Sequence, residues 1–171
     1  MPLSLGAQAM NRLFPQLPFP ERLALEFLGT FARCEYALKE SGYATGGAKE
    51  VKADWDTFAR KVDARFQRMA DKGLWSAMNF LLTEPPRKQV LTNGRVHWTA
   101  SPPSKKLKKT EQVLLMVRRV RNNLFHGAKV WSPEYSNRAR DINLIRASLI
   151  VLQHCMQLDE YTNRAYQVGV F

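Results

Sequence analysis

The chain has 171 residues, of which 45% are hydrophobic, and a formal net charge of +11 from 26 Lys and Arg against 15 Asp and Glu. Its length fits one domain, and nine Phe, five Tyr and four Trp supply an ample core, which excludes a largely disordered chain. The positive charge favours a polyanionic partner, nucleic acid first, and solubility alone is the competing interpretation.

The start of the chain predicts an irregular arm and one helix. Residues 1–20 are rich in proline, and apolar side chains are expected to hold this arm on the core: Phe14, Leu17 and Phe19. A helix is predicted from Pro20 to about Glu40. Glu35 falls on its apolar face, where an unpaired carboxylate is costly, so we expect a cationic or hydrogen-bonding partner for it. Both a structural ion pair and a role in a site fit that position.

A loop and a second helix are predicted next. Residues 41–49 contain three glycines but no GxxxxGK[ST] pattern, so they predict a loop without a phosphate cradle. From Glu50 to Lys72 the helical periodicity is the clearest in the chain, with a basic face opposite the apolar one. Gly73 is expected to close this helix, and residues 74–82 to form a further short one.

Residues 84–109 interrupt the helical pattern and predict an insertion. Pro85 and Pro86 stop a helix, and β-type residues flank Asn93-Gly94, which is the strongest short hairpin signal. A mobile basic loop suited to holding a phosphate backbone is expected after the hairpin. Its lysines are Lys105, Lys106, Lys108 and Lys109.

Two further helices complete the predicted domain. The third spans about Glu111 to Phe125, and the fourth runs from a Ser132 cap to about Tyr166. Long helices with short links and no internal repeat predict an all-α, up-and-down bundle of four to five helices with a small β-hairpin insertion. This single domain is expected to cover residues 21–171.

The cysteines and the apolar segments indicate the compartment. Cys34 and Cys155 lie far apart in helical patterns and fit free buried thiols in a reducing environment. The chain shows no secretory signal, and its most apolar stretch, 142–156, is too short to span a membrane. No zinc-like spacing or GxSxG motif is present. We therefore expect a cytoplasmic protein without membrane association, metal or cofactor.

Candidate chemistry is concentrated in VLLMVRRVRNNLFHGAK, residues 113–129. Arginine suits a phosphate, and histidine can take and give a proton near neutral pH. Transesterification of RNA without a metal needs groups of this kind, which are Arg121, Asn122 and His126. Two copies of the histidine across a dimer would serve both proton transfers, from the 2′-hydroxyl and to the leaving 5′-oxygen. The plainer interpretation is that these cations stabilise a helix C-terminus.

The segment RNNLFHG resembles the signature of the HEPN domain family, an Arg, usually followed by a polar residue, with a His several residues later. The resemblance implies a helical bundle that acts as a dimeric, metal-independent endoribonuclease in toxin–antitoxin, CRISPR-linked or phage-defence systems. It implies that Arg121 and His126 are the catalytic pair, with Asn122 in support. Glu35 resembles an acidic position that some members place beside the motif. Inactive members also exist.

We therefore expect cleavage of single-stranded or loop RNA, whose flexible backbone permits in-line attack. The expected protein partners are a second copy, which completes a composite active site, and an antitoxin or regulator. Salt-sensitive RNA contacts are expected from Arg118, Arg119, Lys105, Lys106, Lys108, Lys109 and Lys129. Two alternatives stay open: a non-catalytic RNA- or nucleotide-binding module of the same fold, and a helical adaptor whose basic face docks an acidic protein.

Overall fold

The computed structural model describes residue 17 and residues 19–125 and 137–168. These ranges contain six helices and two antiparallel hairpins, so the predicted helical fold with a β-hairpin insertion is confirmed, with one hairpin more. The helices are α1 (Glu21–Glu40), α2 (Trp55–Gln67), α3 (Lys72–Thr83), α4 (Lys109–Phe125), α5 (Arg138–Cys155) and α6 (Glu160–Val168). The strands are β1 (Ala44–Gly47) and β2 (Glu50–Ala53), which form hairpin 1, and β3 (Lys88–Thr92) and β4 (Arg95–Thr99), which form hairpin 2.

The core lies around α4, which packs against α2, α3 and α5 and touches α1. Phe19 is buried and Leu17 packs partly against the core, as expected for the segment before α1, whereas Phe14 lies outside the described residues. Cys34 and Cys155 are free and buried, as predicted, and burial raises the pKa of both thiols. Within the described ranges, no helix combines the length and apolar character needed to cross a membrane.

The predicted helix from Glu50 to Lys72 is wrong at both ends. Residues 50–53 form β2, and α2 begins after Asp54, whose carboxylate accepts a hydrogen bond from the Thr57 amide at 3.0 Å. This N-cap satisfies a free amide of the first turn, so the helix begins there although the apolar periodicity extends further back.

The same physical cause divides α2 from α3. The carboxylate of Asp71 accepts a hydrogen bond from the Leu74 amide at 2.6 Å and caps α3. Gly73 therefore lies in the first turn of α3. The prediction that Gly73 closes the preceding helix is wrong. The short helix predicted over residues 74–82 is confirmed, and it begins two residues earlier because Asp71 is its N-cap.

Hairpin 1 replaces most of the predicted glycine loop. Ala44 pairs with Ala53, and Gly47 pairs with Glu50 across the turn. Gly46 has a φ of +132°, and a Cβ at this position would collide with the carbonyl group of Glu50. Glycine is therefore required at Gly46 because of a close backbone approach, which is a property of the folded hairpin.

Hairpin 2 forms where the sequence predicts it. Leu91 pairs with Val96, and the turn residues Asn93 and Gly94 have φ values of 50° and 72°. Positive φ at both central residues is the requirement of a type I′ turn, for which Asn-Gly is the preferred pair. The predicted hairpin is confirmed.

The last predicted helix is also divided. Asn137 caps α5 by accepting a hydrogen bond from the Arg140 amide at 3.1 Å, while the predicted Ser132 cap lies outside the described residues. α5 ends at Cys155, and the carboxylate of Asp159 then accepts a hydrogen bond from the Thr162 amide at 3.0 Å near the start of α6. An aspartate again begins a new helix inside a stretch for which one helix was predicted.

Candidate functional site

An open cleft of about 770 Å³ lies between α1, the two hairpins and the C-terminal half of α4. The described residues that line it include six basic side chains and one acidic side chain, Glu35. The basic residues are Lys39, Lys52, Lys88, Arg118, Arg119 and Arg121. Low-dielectric walls and one sign of charge concentrate anions in such a cleft.

Arg121 and Glu35 form the centre of the cleft. Arg121 Nη2 lies 3.3 Å from Glu35 Oε1, with the two side chains 27% and 34% exposed. The guanidinium carbon also lies 4.7 Å from the centre of the Phe31 ring, in the geometry of a cation–π contact. The expectation that Glu35 has a cationic partner is confirmed.

A second donor fixes the same carboxylate. Trp55 Nε1 lies 3.4 Å from Glu35 Oε1, and the Trp55 ring packs 5.1 Å from that of Phe31. Trp55 is itself buried, so its indole is held by the core while its N–H reaches the cleft. Two rigid aromatic groups therefore position the ion pair between Glu35 and Arg121.

Arg121 retains donors for a further acceptor. A guanidinium carries five N–H donors, and Glu35 engages the Nη2 end. The Nε atom is buried and has no hydrogen-bond partner among the residues that the structure describes. Because Nε is buried, an anion that entered the cleft would meet the partly exposed end of the guanidinium, whose position is fixed by Glu35 and Phe31.

Arg118 and Asn122 lie on the same wall of the cleft as Arg121. Arg118 Nη2 is 3.1 Å from Asp56 Oδ1, and the Asp56 side chain is 58% exposed. Solvent weakens an ion pair of this kind, so Asp56 competes weakly with an incoming phosphate. Asn122 is exposed and lies next to Arg121 in the helix, so its amide is free to reach a ligand in the cleft.

Arg119 has a different environment. Its Nη1 donates to the carbonyl groups of Pro86, at 3.3 Å, and of Ser101, and so joins the two ends of the insertion. Burial lowers the pKa of the guanidinium from its usual value. One turn further along α4, Asn123 Nδ2 donates to the carbonyl of Arg87 at 2.8 Å. These side chains of α4 fix the position of hairpin 2 beside the cleft.

The remaining predicted residues lie elsewhere. The lysines of the basic loop, Lys105, Lys106 and Lys108, and Lys109 at the start of α4, are exposed and do not belong to the described lining of the cleft. His126 and Lys129 lie outside the described residues. Of the predicted catalytic set, the structure thus brings Arg121, Asn122 and Glu35 to one cleft.

Sequence reasoning missed three lysines and a tryptophan of the cleft. Lys39 follows Glu35 by four residues on α1, and this helical spacing was a usable signal. Lys52 falls within the predicted helix from Glu50 to Lys72 but lies in β2, while Lys88 is the first residue of β3. The apolar periodicity of the same predicted helix places Trp55 in the core, where its ring does lie, but its N–H contact with Glu35 has no sequence signal.

Comparison with protein-family models, with curated proteins and with solved structures finds no match to this chain. Its function is therefore inferred from the side chains of the cleft and from the motif that continues beyond Arg121 in the sequence.

Proposed function

We propose that this protein is a metal-independent endoribonuclease of the HEPN type, which cleaves single-stranded or loop RNA. The observation that supports this function most is the position of Arg121, 3.3 Å from Glu35 in a cleft whose charged lining residues are mainly cationic. Arg121 begins the Arg-x4-His motif, and its guanidinium faces a space that an RNA strand can enter.

The reaction is a transesterification at phosphorus. A base takes the proton of the 2′-hydroxyl, the 2′-oxygen bonds to phosphorus, and the bond from phosphorus to the 5′-oxygen breaks. The leaving oxygen receives a proton, so the products are a 2′,3′-cyclic phosphate and a 5′-hydroxyl. His126 is the proposed proton-transfer group, and the His126 of a second copy would supply the other transfer. Arg121 stabilises the additional negative charge on the phosphorane.

Glu35 and Asn122 have supporting roles. Glu35 acts as a positioning residue, since its carboxylate and the Phe31 ring hold the guanidinium of Arg121 from two sides. Asn122 orients the phosphate or the imidazole of His126. We also propose that the basic residues of the motif region and of the segment leading into α4 supply salt-sensitive binding. These are Arg118, Arg119, Lys105, Lys106, Lys108, Lys109 and Lys129.

The proposal includes the biological setting that the motif implies. The protein is an up-and-down bundle that works as a homodimer in the cytoplasm, as a toxin or a phage-defence effector with a neutralising partner. A composite site fits the chemistry because one imidazole per chain serves one of the two proton transfers.

The test is incubation of wild type, His126→Ala and Arg121→Ala with mixed RNA in EDTA, followed by analysis of the new ends. Wild type is expected to leave 2′,3′-cyclic phosphates. Each variant should cut at least about a hundredfold more slowly, because His126→Ala loses general acid–base catalysis and Arg121→Ala loses charge stabilisation at phosphorus. Arg22→Ala, which changes an exposed arginine on α1, is the matched control and should cut like wild type. Equal cleavage by wild type and His126→Ala would contradict the proposed site.

A non-catalytic RNA-binding module is the second candidate, because the carboxylate of Glu35 already neutralises part of the charge on Arg121. This candidate predicts salt-sensitive binding without new RNA ends from any of the proteins. An adaptor for an acidic protein predicts neither binding nor cleavage.

A further inference from the structure

Three lysines of the cleft come from three separate elements. Lys39 lies near the end of α1, Lys52 in β2 of hairpin 1, and Lys88 at the start of β3 of hairpin 2. They are distant in sequence and belong to no motif, yet the fold places all three around the cleft into which Arg121 faces. Convergence of like charges is unfavourable for the bundle itself, so a bound anion is the natural counterpart.

We infer that Lys39, Lys52 and Lys88 form a phosphate-binding track for single-stranded RNA, which passes between the two hairpins and leads to Arg121. The identification of the ligand as RNA rests on the proposed function. The track itself rests on the geometry of the cleft, and it would hold the nucleotides that flank the scissile bond.

The three lysines are the cations of the cleft that are most available to a ligand. Arg118 and Arg121 each have a carboxylate partner, and Arg119 is engaged by backbone carbonyls. By contrast, neither Lys39 nor Lys88 has an ion-pair partner within the described ranges. Lys52 Nζ lies 2.8 Å from Glu50 Oε1, but these side chains are 65% and 63% exposed, so solvent screens the pair.

The open form of the cleft, rather than its size, favours a chain over a small metabolite. Its volume of about 770 Å³ lies within the roughly 300–1,000 Å³ of typical small-molecule pockets. A cleft that is open between two hairpins lets a strand enter and leave, which a closed pocket does not. Since an ammonium group is a point charge without bidentate geometry, lysines hold a backbone without reading bases.

Apolar side chains among the lysines favour a single strand over a duplex or free phosphate. Val51 is 59% exposed and lines the cleft beside Lys52, and Leu115 of α4 is half-buried in the same lining. Unstacked bases can cover such apolar surface, whereas the bases of a duplex are already stacked and paired. The track therefore predicts preference for unpaired RNA without strong sequence preference.

The test is fluorescence anisotropy with a labelled 2′-O-methyl oligouridine, which lacks the 2′-hydroxyl and cannot be cleaved by transesterification. The triple variant Lys39→Gln, Lys52→Gln and Lys88→Gln is compared with a matched triple at exposed lysines outside the cleft lining: Lys49→Gln, Lys61→Gln and Lys72→Gln. Both triple variants lose three positive charges. A change in the salt dependence of binding that occurs only in the cleft triple would therefore come from lost phosphate contacts and not from the lower net charge.

We expect the cleft triple to bind roughly tenfold or more weakly at low salt, and its slope of log K against log salt to fall by about 2, as the loss of three phosphate contacts implies for single strands. The control triple should keep the slope of wild type. Equal slopes for the two triples, equal binding of a duplex of the same length, or no binding by wild type would each overturn the inference.

The outcome for the track is separable from the outcome for the enzyme. Binding that depends on the cleft lysines, with no new ends from unmodified RNA, keeps the track and rejects the nuclease. Cleavage by wild type that the cleft triple matches in rate, with an unchanged slope, keeps the nuclease and rejects the track.

Discussion

The two hairpins flank one cleft but are joined to the bundle in different ways. Hairpin 1 is closed by the backbone: the Tyr43 amide donates to the Leu38 carbonyl, and the Asp54 amide donates to the Tyr43 carbonyl, each at 2.9 Å. Hairpin 2 is held at its base by side chains of a distant helix, since Arg119 and Asn123 of α4 donate to carbonyls of the insertion. One wall of the cleft thus depends on backbone geometry and the other on side chains.

This difference determines which substitutions disturb each wall. Backbone hydrogen bonds survive most side-chain changes, so hairpin 1 is vulnerable mainly where the backbone itself is constrained, at Gly46. The base of hairpin 2 depends on the guanidinium of Arg119, whose removal leaves carbonyl groups without their donor.

Arg119→Ala should give the largest loss of stability. The guanidinium donates to the carbonyls of Pro86 and Ser101, and hydrogen bonds from charged groups contribute about 1.5–3 kcal/mol each. We expect the free energy of unfolding to fall by about 3 kcal/mol, measured by urea denaturation. Arg119→Lys should recover part of this loss, because lysine keeps the positive charge but lacks the planar guanidinium that can donate to two carbonyl groups.

Arg118→Ala is the control for that measurement. Arg118 is the preceding residue of the same helix, and its ion pair with Asp56 is partly exposed, so its removal should cost less than about 1 kcal/mol. Equal losses for the two variants would mean that Arg119 does not anchor hairpin 2.

Gly46→Ala should disturb hairpin 1 and little else. A φ of +132° and a collision with the carbonyl of Glu50 oppose any side chain there, and such strain costs on the order of 1–3 kcal/mol. Gly47→Ala is the matched control, because its Cβ would meet open space and its φ is not strained. Hydrogen exchange should accelerate across residues 44–53 in Gly46→Ala alone. Similar exchange in both variants would contradict the role given to the close approach.

The contrast also explains what the sequence could predict of the fold. Hairpin 2 was predictable because Asn93-Gly94 carries its turn chemistry within two residues. The turn residues of hairpin 1 are Ala48 and Lys49, which have no preference for a tight hairpin turn. Gly46 is required because of its close approach to the carbonyl of Glu50, and this contact forms only in the folded hairpin. Val51 also fits the apolar period of the following helix, so periodicity assigned a strand residue to a helix.

The candidate site was predictable in part for a similar reason. A carboxylate on the apolar face of α1 needs a partner, and this requirement is visible at Glu35 in the sequence. The identity of the partner, Arg121, depends on the packing of elements 86 residues apart. The cleft lysines were missed because each looks like an ordinary solvated residue within its own element, and only the fold brings the three together.

Asp54→Ala should give a smaller effect that depends on pH. Asp54 connects hairpin 1 to α2, and the hydrogen bond from the Thr57 amide lowers the pKa of its carboxyl. Because the pKa in the folded state is the lower one, the stabilisation is present above the pKa of the unfolded chain and is lost as pH falls through the folded value.

At neutral pH the loss of this cap should cost about 0.5–1 kcal/mol, near the lower limit for N-caps because the carboxylate is partly exposed to solvent. Urea denaturation of wild type and Asp54→Ala at pH 7 and at pH 3 should show the difference shrinking in acid. Asp54→Asn keeps a cap that does not titrate, so its difference from Asp54→Ala should be the same at both pH values. A difference of the same size in Asp54→Ala at both pH values would contradict the titration.

The smallest effect is expected from the apolar pair of hairpin 2. Leu91 and Val96 lie opposite each other and are 73% and 60% exposed. Leu91→Thr with Val96→Thr keeps β-forming residues and removes a cross-strand contact of about 0.2–1 kcal/mol. If the hairpin is held at its base by Arg119, urea denaturation should register little of this, and binding of the 2′-O-methyl oligomer should not change. If the double variant lost as much free energy of unfolding as Arg119→Ala, hairpin 2 would be held by contacts within its own strands and not by Arg119. The contrast between a wall closed by backbone and a wall anchored by side chains of α4 would then be wrong.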